Sequence, residues 1–73
     1  MEKNKWIIVE NSSLISGYKY DGENFIVEFK SNGAMYKYYP VPAFVANEIS
    51  EDSPGKDIKH KIIEGGYAYK RIN

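Results

Sequence analysis

The segment that decides the fold reads AMYKYYPVP and spans residues 34–42. Its first residues favour a β-strand, and its prolines end that strand because proline cannot donate a hydrogen bond to a neighbouring strand. Side chains alternate along a strand, so Tyr36 and Tyr38 lie on one face and Met35, Lys37 and Tyr39 on the other. Two rings on one face indicate either a stacking platform for a flat ligand such as a nucleobase or packing within the sheet. Strand propensity alone favours packing.

The residues just before this segment predict its partner strand. FIVEFK, residues 25–30, alternates clearly and places Phe25, Val27 and Phe29 on a core face. Asn32-Gly33 then favours a tight turn. If these two are the central loop residues, Phe29 lies opposite Tyr36 and Val27 opposite Tyr38, which puts both tyrosines on the core face.

Two further strands are predicted towards the N-terminus. Residues 14–20 form a first main strand, and Gly17 marks a bulge or a close backbone approach. Strict alternation places Leu14, Ser16, Tyr18 and Tyr20 on one face and Ile15, Gly17 and Lys19 on the other. WIIV, residues 6–9, predicts an added strand that lies at the sheet edge or against another copy of the chain. We therefore divide the chain into an N-terminal extension, residues 1–11, and a single domain, residues 12–73.

Two short helices are predicted after the prolines. The first follows Pro42 through Ser50, and its apolar stripe of Val41, Val45 and Ile49, with Phe44 beside it, should cover the sheet. The second begins at Ser53-Pro54, carries Ile58 and Ile62 on one side, and ends near Glu64 before two glycines. YAYKR, residues 67–71, is extended. The expected fold is α+β, a three- or four-stranded antiparallel meander with two short helices packed on one face.

Composition limits the classes of function. The chain has 73 residues, no cysteine and a longest apolar run of four residues, which predicts a small cytoplasmic, soluble protein without disulfides. Ten basic and ten acidic residues cancel, which disfavours strong electrostatic binding of nucleic acid. Residues 54–73 nevertheless hold a local excess of three positive charges, from Lys56, Lys59, Lys61, Lys70 and Arg71 against Asp57 and Glu64.

Catalysis finds little support in the residue types. His60 is the only histidine and stands between two lysines, so we interpret it as a solvated side chain. No second histidine or cysteine is present to complete a metal site, and Ser12-Ser13 has no neighbouring base to activate it. The sequence therefore predicts a protein that is not an enzyme and uses no metal or cofactor.

Several short motifs follow one another in a specific order. They are Ser12-Ser13, the strand 25–29, Tyr36-Lys37-Tyr38, Val41-Pro42, Ser53-Pro54-Gly55-Lys56, Ile62 and the closing segment 67–71. In order and spacing they resemble the KTSC domain, a short bacterial and phage domain that occurs alone and at the C-terminus of some lysyl-tRNA synthetases. The resemblance implies an α+β domain for which RNA binding has been proposed. The chain departs from the family pattern at Asp57-Ile58, where a Phe-Asn pair is expected.

Three binding functions remain open. An RNA-binding module would stack bases on Tyr36, Tyr38, Tyr67 or Tyr69 and hold phosphates with Lys56, Lys59, Lys61, Lys70 and Arg71. A protein-interaction module, such as a small phage-type inhibitor, would use Trp6, Ile7 and Ile8. A nucleotide or small-ligand pocket would lie between the second helix and the 67–71 segment at a homo-oligomer interface. We expect a noncatalytic binding module, with RNA ahead of the other ligands.

Overall fold

A five-stranded antiparallel sheet forms the body of the protein in a computed structural model that describes residues 5–50 and 52–73. The strands are β1 (Ile7–Ile8), β2 (Ile15–Tyr20), β3 (Phe25–Phe29), β4 (Met35–Tyr39) and β5 (Ala68–Arg71), and they lie side by side in chain order. The predicted antiparallel α+β architecture is confirmed, with five strands in place of three or four. The difference arises because both the short segment near the N-terminus and the closing segment join the sheet.

Two short helices connect β4 to β5. Helix α1 spans Ala43–Ala46, and α2 spans Pro54–Ile58 and continues as a π-helical segment over Lys59–Ile63. The Glu64 amide donates to the Lys59 carbonyl oxygen at 2.9 Å, the spacing of five residues that defines a π turn. Gly66, at φ 84°, then turns the chain into β5 in a conformation that glycine adopts without strain.

The core lies between one face of the sheet and these helices. Phe25, Val27 and Tyr38 project from the sheet and are buried together with Ile58 and Ile62 of the second helical stretch. Val45 and Ile49 pack against this cluster as predicted, but α1 ends at Ala46, so the prediction of a helix through Ser50 is wrong and Ile49 lies beyond the helix. Phe44 does not, because its side chain is 69% exposed on the outer side of α1. The prediction that Phe44 helps to cover the sheet is therefore wrong.

The predicted register between β3 and β4 is also wrong, by two residues. Val27 lies opposite Tyr36 and Phe25 opposite Tyr38. The turn is longer than two residues, because the Phe29 amide donates to the Ala34 carbonyl oxygen at 2.9 Å and encloses residues 30–33. A shift by two preserves the face of every side chain, so both tyrosines still point to the core side. Tyr38 is only 5% exposed there.

Strand β2 contains the irregularity that Gly17 suggested. Ile15 pairs with Phe29 and Gly17 pairs with Glu28, so Ser16 is an additional residue in β2. The bulge turns Ile15 to the same face as Tyr18, and Ile15 is completely buried. Strict alternation had placed these two residues on opposite faces, which is wrong for that reason.

The added strand is confirmed over Ile7–Ile8, at the edge next to β2. The Trp6 side chain lies over Gly17, where an added Cβ atom would come within 2.6–2.7 Å of three indole atoms. Such distances are shorter than van der Waals contact, so only glycine allows the indole to lie flat on β2. Of the two alternatives predicted for Gly17, the bulge is confirmed, and the close approach there is made by the Trp6 side chain.

The substitution Gly17→Ala should displace the indole and destabilise the fold by about 1–3 kcal/mol, the usual effect of overpacking. Trp6 is the only tryptophan, so its emission should shift to longer wavelength as the ring leaves the sheet. Urea unfolding followed by fluorescence and circular dichroism measures both effects. In a Trp6→Ala background the same substitution should cost almost nothing, since the clash is gone. An equal cost in both backgrounds would contradict the proposed contact.

Asp21 holds the turn between β2 and β3. Its carboxylate accepts hydrogen bonds from the Asn24 amide at 2.7 Å, from the Asn24 side chain at 3.0 Å and from the Glu23 amide at 3.0 Å. These bonds, those from Asn24 first, favour the charged form and lower the pKa of Asp21 below its ordinary value of 3.8.

Because folding lowers this pKa, the stabilisation from Asp21 is present above the unfolded-state value and is lost as the pH falls through the folded-state value. The unfolding free energy should therefore decrease on acidification below about pH 4, and Asp21→Asn should remove part of that decrease. Urea titrations from neutral pH down to acid measure it. If the unfolding free energy of Asp21→Asn falls with pH as steeply as that of the wild-type protein, the Asp21 carboxylate does not stabilise the fold in this way.

Candidate functional site

An open groove lies on the helix side of the sheet, at the end where β3 turns into β4. It has a volume of about 420 Å³. We call it the aromatic groove, and its lining residues are Phe29, Ser31, Asn32, Ala34, Tyr36, Tyr38, Ile63 and Tyr69. The groove therefore joins three neighbouring strands and the end of the π-helical segment.

Four rings form a continuous set in the aromatic groove. Tyr36 meets Phe29 edge to face with ring centroids 5.6 Å apart, and its centroid lies 5.9 Å from that of Tyr69. The Tyr38 and Tyr69 centroids are 5.7 Å apart. Tyr69 is 64% exposed, whereas Tyr38, its neighbour across the β4–β5 pair, is buried. Tyr69 therefore presents an accessible aromatic surface that contacts the rings of Tyr36 and Tyr38.

The electrostatic character of the groove is neutral at its floor and positive at its rim. Burial, followed by the nearby Tyr36 and Tyr69 hydroxyls, raises the pKa of Tyr38, so its phenol stays protonated at physiological pH. Arg71 lies directly opposite Tyr36 in the β4–β5 pair, which puts its side chain on the groove side of the sheet. An aromatic surface beside a guanidinium group suits a planar ligand that carries negative charge.

A second depression, which we call the polar cleft, lies between the loop before β2 and the start of α2. Its volume is about 790 Å³ and its lining includes Ser12, Ser13, Lys56, Lys59 and His60, with Asp52 as an acidic member. The Ser12 hydroxyl oxygen accepts a hydrogen bond from the Leu14 amide at 3.0 Å. A Cβ atom at Gly55 would come within 2.3 Å of that oxygen. Two of the motifs behind the KTSC resemblance, Ser12-Ser13 and Gly55-Lys56, therefore meet in space.

The predicted basic residues do not form one patch. Lys56 and Lys59 line the polar cleft, and Lys61 forms an ion pair with Glu48 at 3.2 Å. Arg71 lies on the groove side of β5, whereas Lys70 pairs with Lys37 and points to the opposite face of the sheet. Alternation within β5 separates the last two cations, and this separation follows from the strand pairing.

The four predicted tyrosines also separate. Tyr36, Tyr38 and Tyr69 meet in the aromatic groove, although Tyr38 contributes only a small exposed area. Tyr67 precedes β5 and packs against the core beside Gly65. Phe29 and Ile63 were not predicted as groove residues, because the sequence pattern assigned Phe29 to the core and indicated no role for Ile63.

The face of the sheet away from the helices, which we call the open face, is not covered by either helix. Pairing places Lys19, Ile26, Lys37 and Lys70 in one row across β2, β3, β4 and β5. Trp6 and Ile8 lie on the same face near β1, since the Trp6 side chain covers Gly17 and Ile8 pairs with Gly17. Ile8 is 70% exposed and Ile7, on the helix side, is 44% exposed. The three predicted protein-interface residues therefore belong to one edge but to both faces.

His60 lies beside Glu64 on the exposed side of the π-helical segment, and the His60 Nδ1 atom is 3.1 Å from the Glu64 Oε1 atom. Within residues 5–50 and 52–73, no group of three or more histidine, aspartate or glutamate side chains is arranged to hold a metal ion. No helix in the described part of the chain has the length and apolar character needed to cross a bilayer.

Comparison of the chain with known protein families gives no match, and comparison with curated proteins gives none.

Proposed function

We propose that the protein is a noncatalytic binding module that takes single-stranded nucleic acid, RNA in particular, into the aromatic groove. The observation that carries this proposal is the exposed Tyr69 ring, held against Tyr36 and Tyr38 and bordered by Arg71. Aromatic side chains on a sheet bind unpaired bases by stacking, and neighbouring cations bind the phosphates. The motif order shared with the KTSC domain points the same way, and membership of that family remains a prediction.

The rim of the groove offers groups that could distinguish one base from another. Ser31 and Asn32 carry a hydroxyl and an amide at the tip of the β3–β4 turn. The Asn32 side-chain oxygen accepts a hydrogen bond from the Ala34 amide at 3.1 Å, which fixes the side chain and leaves its amide group as a donor. A base stacked on Tyr69 would therefore meet polar groups along its edge.

Zero net charge indicates how such binding is driven. A protein that holds nucleic acid mainly by its phosphates carries an excess of basic residues, and this chain does not. Stacking contributes about 1–3 kcal/mol per base whatever the net charge. We infer that stacking supplies most of the affinity. We place this binding in the cytoplasm of a bacterial or phage-infected cell.

Replacement of Tyr69 by alanine should weaken binding of a short single-stranded RNA about 5- to 150-fold, the equivalent of one lost stacking contact. Fluorescence anisotropy with a labelled oligouridylate measures the change. Phe44→Ala is the matched control, since Phe44 is 69% exposed but lies outside the groove. Equal affinity in Tyr69→Ala and wild-type protein would overturn the proposed function, provided that circular dichroism shows both variants folded.

A nucleotide pocket is the closest alternative for the same groove, and it is supported by the groove's lining, which includes Ile63 of the second helical stretch and Tyr69 of the closing segment. The same assay separates the two ligands. A mononucleotide that competes as well as the oligonucleotide would favour the pocket, whereas a much weaker competitor supports a polymer ligand.

A protein partner is a second candidate function, favoured by the uncovered edge of β1. Among the strands that the structure describes, β1 has a neighbour on one side only, and the exposed Ile7 and Ile8 lie at this edge of the sheet. Such an edge pairs readily with a strand of another chain. The simplest partner is a second copy of the protein.

Ile8→Lys should abolish association through β1, because lysine on an edge strand opposes pairing with another strand. Sedimentation velocity at high micromolar concentration should give a dimer for the wild-type protein and a monomer for the variant. Phe44→Lys adds the same charge on α1 and should leave the dimer intact. A wild-type monomer, or a dimer that persists in Ile8→Lys, would exclude this edge as the interface.

A further inference from the structure

The open face carries an uncompensated row of positive charge. Lys19, Lys37 and Lys70 occupy one row across β2, β4 and β5, with Ile26 of β3 between the first two. Neighbouring strands lie about 4.8 Å apart, so the row extends over about 14 Å. The three lysines therefore form a straight track that runs across the strands.

In the described part of the chain, none of these three lysines forms an ion pair. Lys37 lies directly opposite Lys70, an arrangement of like charges that destabilises an antiparallel pair. Glu28 also lies on this face, where it accepts a hydrogen bond from the Ser16 hydroxyl at 2.9 Å. The Lys37 ammonium lies 5.0 Å from the centre of the Tyr39 ring, which directs it along the sheet. A bound polyanion would relieve the repulsion.

The position of β5 connects this row to the aromatic groove. β5 is an edge strand, and its successive side chains alternate between the two faces. Tyr69 and Arg71 point to the groove, and Lys70 between them points to the open face. A chain that leaves the groove over this edge therefore meets Lys70 first and Lys37 next.

We propose that a single strand of nucleic acid, stacked through a base on Tyr69, passes over the β5 edge and lays its phosphates along Lys70, Lys37 and Lys19. This inference rests on the proposed function and adds the path of the backbone. It also gives Trp6 a role, because its indole lies on the open face at the far end of the row. A strand that follows the whole row ends beside the only tryptophan.

The test compares two double variants that remove the same charge from different surfaces. Lys37→Gln with Lys70→Gln removes two members of the row, and Lys56→Gln with Lys59→Gln removes two lysines of the polar cleft. The probe is an oligouridylate of about ten nucleotides, within the site size of a small binding domain. Anisotropy at several salt concentrations gives the affinity and its salt dependence, and Trp6 fluorescence reports arrival at the far end of the row.

We expect the first variant to bind more weakly and to flatten the slope of log affinity against log salt by about 1.4, or about 0.7 for each lost phosphate contact. The polar-cleft variant should keep the wild-type slope. RNA should quench Trp6 in the wild-type protein and in the polar-cleft variant, and less in the row variant.

If the row variant keeps the wild-type slope of log affinity against log salt, and RNA binding still depends on Tyr69, the proposed backbone path is wrong but the proposed function stands. A flattened slope only in the polar-cleft variant would overturn it as well and move the phosphates to that cleft. Inorganic polyphosphate serves as a probe without bases. If polyphosphate quenches Trp6 through Lys37 and Lys70 but RNA binds neither surface, the row binds polyanions and the proposed function fails.

Discussion

The pairing of β3 with β4 is the constraint on which the rest of the structure depends. It places Phe25 opposite Tyr38 and Val27 opposite Tyr36, so that the two central strands present one continuous apolar face. Phe25 and Val27 are almost completely buried, and Ile58 and Ile62 lie against them. Burial of several such side chains supplies most of the stability that so small a domain has. The helices and the outer strands take their positions from that face.

The same pairing determines where the core ends and the aromatic groove begins. Tyr38 lies under the helical stretch, whereas Tyr36, two residues earlier in the strand, lies nearer the turn and touches Phe29 and Tyr69. Stacking surface and core are thus successive parts of one row of rings. A ligand in the groove would rest on side chains that are already held by packing, so it would lose little freedom from ordering the site.

Much of the fold can be read from local patterns. Alternation in residues 25–30 and 34–39, the two prolines, and the spacing of Ile58 and Ile62 predict the central strands and both helices, because each pattern reflects burial of one face. Gly17 suggested the bulge in β2, but neither the residue that the bulge adds, Ser16, nor the four-residue turn before Ala34 could be predicted, since both depend on pairing between strands. The π turn after Ile58 could not be predicted either, because the four-residue spacing of Ile58 and Ile62 fits both an α-helix and a π-helix. Three tyrosines of the candidate site and Arg71 were among the predicted residues, whereas the separation of the cations onto different surfaces was not predicted, because it depends on which face each strand presents.

The two edges of the sheet differ in a way that limits how copies of the protein could assemble. β5 ends the sheet with Lys70 and Arg71, which repel an approaching strand of the same kind, whereas β1 offers two isoleucines. A sheet with two adhesive edges can add copies without end and grow into a fibre. With one adhesive edge, two copies meet through the same strand related by a twofold axis, and no edge remains for a third. The charged last strand therefore makes any growth through β1 stop at a closed pair.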